Sequence, residues 1–198
     1  MQKVIGITGG IGSGKSLICK VFSILEIPVY DADSRAKALM NHDLVLKESI
    51  QNLLGKQAYT PTGEYNRAWV ASQVFNNPEL LKRLNALVHP RVRQDSQSWV
   101  QHNFKAPFLL YEAALMKAAG DGNFFDKVIM VNAPVELRIK RVQMRDNRTE
   151  QEIRDIMARQ ISDEERFKIA DYVIENDEKH SVLEQVLNLY LEINRVST

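Results

Sequence analysis

Short apolar runs alternate with longer amphipathic stretches over most of the chain. The longer stretches repeat apolar residues at helical spacing, as at Leu17, Ile18, Val21, Phe22 and Leu25. We expect short buried strands at 4–7, 27–30, 107–111, 127–132 and 172–175. Apolar strands that alternate with helices predict an α/β fold, with a five-stranded parallel sheet covered by helices on both faces.

Residues 41–103 have a different hydrophobic pattern, because amphipathic helix predominates there and no convincing buried strand is predicted. Two helices are predicted near 78–88 and 90–103, each beginning at a proline that suits the first helical turn. The stretch is too long for a simple crossover between parallel strands. We therefore predict a core of residues 1–40 and 104–198, with 41–103 inserted as a helical acceptor-binding subdomain.

Composition and charge narrow the classes of partner. The chain has 198 residues, 44% of them hydrophobic, and its 26 basic and 25 acidic residues nearly cancel. A net charge of +1 does not support nucleic acid or an anionic membrane as the main partner. No apolar run approaches the ~20 residues that span a bilayer, and the N-terminal residues do not resemble a leader. The single cysteine, Cys19, favours a reducing compartment, so we expect a cytoplasmic protein in which Cys19 is a small buried residue.

The stretch after the first predicted strand matches the phosphate-binding loop pattern Gly-x-x-x-x-Gly-Lys-Ser at residues 9–16. Its glycines let backbone N–H groups turn toward a phosphate, and the following helix adds the positive end of its dipole. Lys15 can reach terminal phosphate oxygens, and the hydroxyl of Ser16 can coordinate Mg²⁺. A glycine-rich turn that merely joins a strand to a helix is the alternative, but the flanking strand and helix favour a bound nucleoside triphosphate. The residues expected to contact it are Gly10, Ile11, Gly12, Ser13, Gly14, Lys15, Ser16 and Leu17.

Two aspartates, Asp31 and Asp33, follow the second predicted strand and so reach the same edge of the sheet as the loop. Phosphoryl transfer to a hydroxyl requires a carboxylate that orients the hydroxyl and accepts its proton. An aspartate in this place also commonly caps the next helix. Each role can be filled by one of the two residues, and the spacing does not decide which of them is the base.

Basic residues dominate the helix after the fourth predicted strand. Arg138, Arg141 and Arg145 share one helical face, and Asp146 is the single acid among them. Because arginine forks suit phosphate oxygens, we predict that Arg141 and Arg145 contact the transferring phosphate. The alternative is ion pairing with Glu136, Glu150 and Glu152. The helix, polar break and second helix over 138–160 are also typical of a lid that closes over a nucleotide.

Two further residues are candidates for a role at the site. Glu112 ends the third predicted strand, where an acid can hold Mg²⁺ through water, although an exposed strand-end glutamate without a ligand fits the same pattern. His89 precedes Pro90 and lies near Arg91. Local structure at the start of a helix is a simpler explanation for this histidine than catalysis.

Several segments, in order along nearly the whole chain, resemble those of the dephospho-CoA kinase family. They are the loop at 6–16, Asp-Ala-Asp at 31–33, Leu-Asn-Ala-Leu-Val-His-Pro at 84–90, Lys-Arg and Arg-Asp at 140–141 and 145–146, and Ala-Asp-Tyr-Val-Ile-Glu-Asn at 170–176. The resemblance implies a nucleotide-binding core, a helical acceptor domain and a lid. The implied reaction transfers the γ-phosphate of ATP, with Mg²⁺, to the 3′-hydroxyl of the ribose of dephospho-CoA.

The resemblance also implies roles for individual residues. The second aspartate of Asp-Ala-Asp would be the base, which is Asp33 here, while Lys15 and the lid residue Arg141 would stabilise the transferring phosphoryl group. Asn176 would lie on the adenine side of the nucleotide. Contacts with the acceptor are expected at Asp31, Lys37, His89 and Arg91. We expect ATP and dephospho-CoA as the partners of a monomer or weak homo-oligomer.

Two departures from the family pattern concern the acceptor side. Lys37 stands where the family commonly has arginine, which keeps the charge but loses the bidentate fork. The segment 113–117 replaces the usual Pro-Leu-Leu-Phe-Glu, so no role passes to Lys117, and Glu112 is the acid expected in that region. Another small-metabolite or nucleoside kinase of this fold remains an alternative. A nucleotide-binding switch is a further one, although the sequence contains no Asn-Lys-x-Asp motif for guanine.

Overall fold

The computed structural model describes residues 2–75, 77–113 and 124–195. The chain divides into two units. The sheet unit comprises Met1–Asp31 and Asn103–Thr198, and the helical unit comprises Ala32–His102. Residues 114–117 of the segment that departs from the family pattern, Lys117 among them, lie outside the described residues.

A five-stranded sheet organises the sheet unit. Its strands are β1 (Val4–Thr8), β2 (Val29–Asp31), β3 (Leu109–Glu112), β4 (Lys127–Asn132) and β5 (Tyr172–Glu175). Their order across the sheet is β2-β3-β1-β4-β5, and all four pairings are parallel. The predicted strands and the α/β fold class are therefore confirmed.

Helices connect the strands and form the helical unit. They are α1 (Lys15–Ile24), α2 (Ala32–His42), α3 (Leu44–Leu54), α4 (Arg67–Val74), α5 (Pro78–His102), α6 (Val135–Asp146), α7 (Glu150–Ala158), α8 (Asp163–Ile169) and α9 (Val182–Arg195), with a short 3₁₀ helix at Lys56–Ala58. Among the described residues, no helix has both the length and the apolar character needed to cross a membrane.

The central strand shows how the sheet is covered. All five residues of β1 are buried, and successive side chains of a strand point to opposite faces. Both faces of the sheet are therefore covered, as the continuous apolar pattern predicted. Ile18 and Phe22 of α1 and Val186 of α9 are among the residues that pack with β1 in this core.

The parallel arrangement brings the chemically important strand ends to one edge of the sheet. Ile7 of β1 is aligned with Glu112 of β3, and Glu112 is in turn aligned with Asp31 of β2. The loop that follows β1 leaves from this same edge. Asp31, Glu112 and the glycine-rich loop are thus neighbours because of the strand register.

The helical unit has its own core and a different first residue from the one predicted. Leu46, Ile50, Val70 and other buried residues form a cluster separate from that of the sheet unit. The expected boundary at residue 41 is not the one observed, since the whole of α2 belongs to this unit. The reason is that Ala36, Leu39 and Met40 of α2 pack against the helical cluster.

The prediction of two helices separated at Pro90 is wrong, because α5 runs without interruption from Pro78 to His102. Proline in a helix interior removes one backbone hydrogen bond and crowds the preceding turn. Here Pro90 lies on the exposed side of the helix, while Leu84, Val88 and Ser96 on the opposite side are buried. Packing of that buried face holds the helix together across the proline.

Candidate functional site

The loop between β1 and α1 has the backbone shape of a phosphate cradle. Gly12 and Gly14 have φ angles of 76° and 94°, a region that favours glycine. The N–H of Ser13 donates to the carbonyl of Gly10 at 3.1 Å, which turns the chain sharply before α1 begins at Lys15. Lys15 Nζ donates to the carbonyl of Gly9 at 2.9 Å, so its ammonium group lies over the start of the loop.

The interior of the loop fits a bound phosphate. The Ser13 side chain is buried, and within the described ranges its Oγ has no hydrogen-bond partner. A Cβ added to Gly9 would lie 2.6 Å from that Oγ and 2.6 Å from the carbonyl oxygen of Val131. Buried hydroxyl groups are nearly always satisfied in native proteins. The Ser13 hydroxyl is therefore able to donate to a phosphate oxygen, and glycine at position 9 is required because the backbone packs closely against that hydroxyl.

Asn176, which follows β5, supports the loop from behind. Its buried Nδ2 donates to the carbonyl of Ser13 at 2.7 Å, and its own N–H donates to the carbonyl of Asn132 at 2.8 Å. A Cβ on Gly14 would collide with this amide group. The family resemblance implied a place for Asn176 on the adenine side of the nucleotide, and the structure gives it a contact with the phosphate loop.

The three arginines of α6 have different surroundings, although they share a helical face. Arg138 is buried and bonds to the carbonyl of Ile11, with Nε and oxygen 2.9 Å apart. Arg141 is partly exposed and donates from Nη1 to the carbonyl of Asn176 at 3.0 Å. Arg145 is largely exposed and forms a two-point contact with the carboxylate of Asp146, at 2.7 and 2.8 Å.

Neither alternative for these arginines describes them all. Glu136 and Glu150 pair with Arg154, at 3.1 and 2.7 Å. Glu152 caps α7 instead, accepting from the N–H of Thr149 at 2.8 Å. Arg138 contacts the loop directly but is buried. Arg141 is partly exposed and contacts Asn176, which bonds to the loop, and this agrees with a residue that can reach a bound phosphate.

The segment predicted as a lid consists of α6, a polar break and α7. Thr149 and Glu152 form a capping box at the start of α7, which confirms the predicted cap. Ile139, Val142 and Ile153 join the two helices through a small apolar cluster against which Ile11 of the loop packs. This segment therefore touches the phosphate loop at its base, and its closure over a nucleotide remains a prediction.

The thiol of Cys19 and the carboxylate of Glu112 are hydrogen-bonded to each other. Cys19 of α1 is buried, as predicted, and burial raises the pKa of its thiol, with a further contribution from the hydrogen-bonded carboxylate of Glu112. The thiol therefore stays neutral and protonated at physiological pH. Glu112 is held at the strand edge beside Asp31, so the acid proposed for Mg²⁺ does lie at the same edge as the loop.

The predicted acceptor residues lie on α2 and α5 or next to them. Asp31 ends β2, Asp33 lies in the first turn of α2, and Lys37 is farther along that helix. His89 lies inside α5 and not before a new helix, so the explanation of His89 as local structure at a helix start is wrong. The proline that follows it does not start a helix, because α5 continues through it.

Arg91 has a defined partner within the helical unit. Its Nε donates to Oδ2 of Asp43 at 2.6 Å, and Asp43 also caps α3 by accepting from the N–H of Leu46 at 3.1 Å. Burial opposes ionisation of Asp43, but these hydrogen bonds outweigh it and hold the pKa of the carboxyl group below its usual range. Any contact of Arg91 with an acceptor has to be made from this position.

Sequence reasoning missed the residues that bind the loop from α8 and the turn before it. Gln160 accepts from the N–H of Ile11 at 3.0 Å, and Asp163 accepts from both Arg166 and the loop-bound Arg138. These partners lie far apart along the chain. No spacing within the sequence identifies these residues as partners of the loop. An Asp and an Arg three residues apart, as in α8, indicate only an ion pair within a helix.

The family model and the curated relatives agree on one family. A family model described as dephospho-CoA kinase matches residues 3–181. A Bacteroides fragilis protein named dephospho-CoA kinase is 33% identical over 185 residues, which cover 93% of this chain and 90% of the relative. A crystal structure from Thermus thermophilus matches with a TM-score of 0.84 and 31% identity, covering 96% of this chain and 97% of that one. Dephospho-CoA kinase from Campylobacter jejuni, at 23% identity and a TM-score of 0.65, shares the fold over 98% of both chains.

Proposed function

We propose, since this chain belongs to the dephospho-CoA kinase family, that it transfers the γ-phosphate of ATP to the 3′-hydroxyl of the ribose of dephospho-CoA. The observation that carries the proposal is the phosphate cradle at 9–16 in a chain that matches this family over residues 3–181. The fold and family make the protein a kinase. The acceptor and the role of each residue are the parts that experiments have to test.

On the donor side, the loop would bind the phosphates of ATP through its backbone N–H groups and Lys15. The Ser16 hydroxyl, with Glu112 through water, would hold Mg²⁺, which neutralises charge on the phosphate oxygens. The buried hydroxyl of Ser13 and its lack of a partner within the described residues support a phosphate in this place. Leu17 and the rest of the loop up to Ser16 would form the walls of the cradle.

The lid residue Arg141 would stabilise the phosphoryl group during transfer. Its position supports this role, because it contacts Asn176 beside the loop and keeps part of its side chain exposed. Arg145 would have to leave Asp146 in order to reach the same group, at the cost of two charged hydrogen bonds, whereas Arg141 has a longer contact of 3.4 Å with Glu178. Arg141 is therefore the main lid contact that we propose, and Arg145 a secondary one.

On the acceptor side, Asp33 would take the proton of the ribose hydroxyl as that oxygen attacks the γ-phosphate. Asp31, Lys37, His89 and Arg91 would contact the acceptor. The position of Asp33 two residues after the end of β2 supports its role. Asp31, which ends the strand itself and aligns with Glu112, is the alternative base.

A panel of acceptors tests the proposal. ADP release is measured with Mg²⁺ and ATP in the presence of dephospho-CoA, adenosine, a nucleoside monophosphate or shikimate. We expect turnover with dephospho-CoA to exceed that with every other acceptor. Faster phosphorylation of one of the others would instead identify another metabolite kinase of the same fold. Tighter binding of GTP than of ATP, with no acceptor phosphorylated, would favour a nucleotide switch.

Localisation and assembly remain sequence predictions. A chain with one cysteine and an ATP-dependent reaction suits a reducing, ATP-containing compartment, so the cytoplasm is the location that we propose. A monomer or weak homo-oligomer without nucleic acid or membrane partners is the expected assembly.

A further inference from the structure

Two buried arginines share one carboxylate behind the phosphate loop. Arg138 and Arg166 are 3% and 1% exposed. Nη1 of Arg138 lies 2.7 Å from Oδ2 of Asp163, and Nη1 of Arg166 lies 2.7 Å from Oδ1 of the same group. These three side chains therefore carry a net charge of +1, while the exposed carboxylate of Glu165 also acts on Arg166. Buried charges are costly unless they are paired, so this excess requires an explanation.

Arg138 of this cluster and the nearby Gln160 bind both backbone polar groups of Ile11 in the loop. Nε of Arg138 donates to the carbonyl of Ile11 at 2.9 Å, and the N–H of Ile11 donates to Oε1 of Gln160 at 3.0 Å. Gln160 is also 3.5 Å from Nη2 of Arg166. These two hydrogen bonds fix the peptide groups around Ile11 from outside the loop. The two side chains that form them are separated in the chain by α7.

Close packing adds a second restraint on the loop. The guanidinium group of Arg138 occupies the place where a Cβ on Gly10 would lie. The loop backbone is therefore in van der Waals contact with a buried cation at residue 10 and bonded to it at residue 11. A loop held in this way loses little conformational entropy when a ligand binds.

We infer that Arg138, Gln160 and Asp163 are positioning residues for the phosphate donor, which fix the Ile11 peptide and place the buried excess of positive charge behind the loop. The inference rests on the proposed use of this loop for ATP. Fixed N–H groups and a nearby cation both favour a polyphosphate over water in the cradle. None of the three residues has to touch the nucleotide itself.

The competing explanation is that the cluster only stabilises the packing of α6 and α8. Gln160→Glu separates the two, because glutamate can still accept from the N–H of Ile11 while its charge cancels the excess in the cluster. A purely structural cluster gains a counter-ion, so the unliganded protein keeps or raises its Tm and ATP binding is unchanged. A positioning cluster also keeps its Tm, but its affinity for ATP falls about tenfold.

Arg138→Gln tests the contact with Ile11. This change leaves the pair between Asp163 and Arg166 intact, so the partly exposed Asp163 keeps one arginine partner. We expect the Kd for MgATP to rise about tenfold and the KM for dephospho-CoA to stay the same. Arg138→Lys, which keeps the charge, is expected to recover part of the affinity.

Lys127→Gln is the matched control. Lys127 begins β4, at the opposite end of that strand from the loop, and pairs with Asp171 at the surface, 2.9 Å away, so its loss is expected to leave the affinity for ATP unchanged. The Kd for MgATP is measured by calorimetry in the absence of dephospho-CoA, and Tm is measured without and with MgATP. Unchanged ATP affinity in both Gln160→Glu and Arg138→Gln would overturn the inference. A parent protein that binds ATP but does not phosphorylate dephospho-CoA would refute the proposed function and leave the inference standing.

Discussion

Replacing Asn176 with alanine distinguishes support of the phosphate loop from contact with adenine. The buried Nδ2 of Asn176 donates to the carbonyl of Ser13 at 2.7 Å, and alanine leaves that carbonyl without its donor. A buried acceptor that loses its partner costs about 1–3 kcal/mol. If the loop has to be reordered on binding, the same energy weakens the affinity by at most about 5- to 150-fold.

The measurement uses two ligands that share a polyphosphate and differ in adenine. The Kd of Asn176→Ala for MgATP and for inorganic tripolyphosphate with Mg²⁺ is determined by calorimetry. Because the side chain acts on the loop, we expect both affinities to fall by the same factor, about tenfold. Weaker binding of ATP with unchanged binding of tripolyphosphate would refute this reasoning and assign Asn176 to adenine.

Asn132→Ala is the matched control for Asn176→Ala. Asn132 ends β4 of the same sheet, and its Nδ2 donates to Oε2 of Glu175 at 2.9 Å. That hydrogen bond does not involve the loop. A similar loss of stability without a loss of affinity for tripolyphosphate is therefore expected, so an equal loss of affinity in both variants would mean that destabilisation of the sheet unit causes the effect.

Three further predictions concern the base, the lid and the helical unit. Asp33→Asn is expected to lower kcat by orders of magnitude with the Kd for ATP unchanged, whereas wild-type turnover would leave Asp33 with a capping role only. Arg141→Ala is expected to lower kcat more than it raises the KM for dephospho-CoA, and an effect on that KM alone would count against the lid role. The pKa of Asp43 is held low in the folded protein, so its contribution to stability is present above its unfolded-state pKa and is lost as pH falls through the folded-state value. Urea unfolding should therefore show Asp43→Asn to be less stable than the parent at neutral pH, with a difference that shrinks in acid; a difference that does not depend on pH would contradict this sign.

The parts of the fold that depend on local pattern could be predicted from the sequence. Each strand is an apolar run bounded by polar or turn residues, and the loop at 9–16 needs only its own glycines and lysine to be identified. Cys19 was expected to be buried because a lone cysteine in a helix commonly serves as a small apolar residue, and it is buried. These inferences use residues close together in the chain, where periodicity carries the information.

Features that depend on tertiary packing could not be predicted in the same way. The helix α2 belongs to the helical unit because Leu39 and Met40 pack against the core of that unit. The amphipathic pattern predicts an apolar face on α2 but does not specify which core that face joins. Pro90 was read as a helix start by its local preference, and the buried face of α5 overrides that preference. The partners of Arg138 could not be found either, since a row of arginines looks the same whether they face a ligand, a loop carbonyl or an acid on another helix.

Identification of the product tests the central claim most directly. The protein is incubated with Mg²⁺, ATP and dephospho-CoA, and the products are separated and examined by mass spectrometry and phosphorus NMR. We predict one added phosphate per acceptor, as a monoester on the ribose 3′-oxygen, formed in step with ADP. Consumption of ATP with release of inorganic phosphate and unchanged dephospho-CoA would contradict the claim.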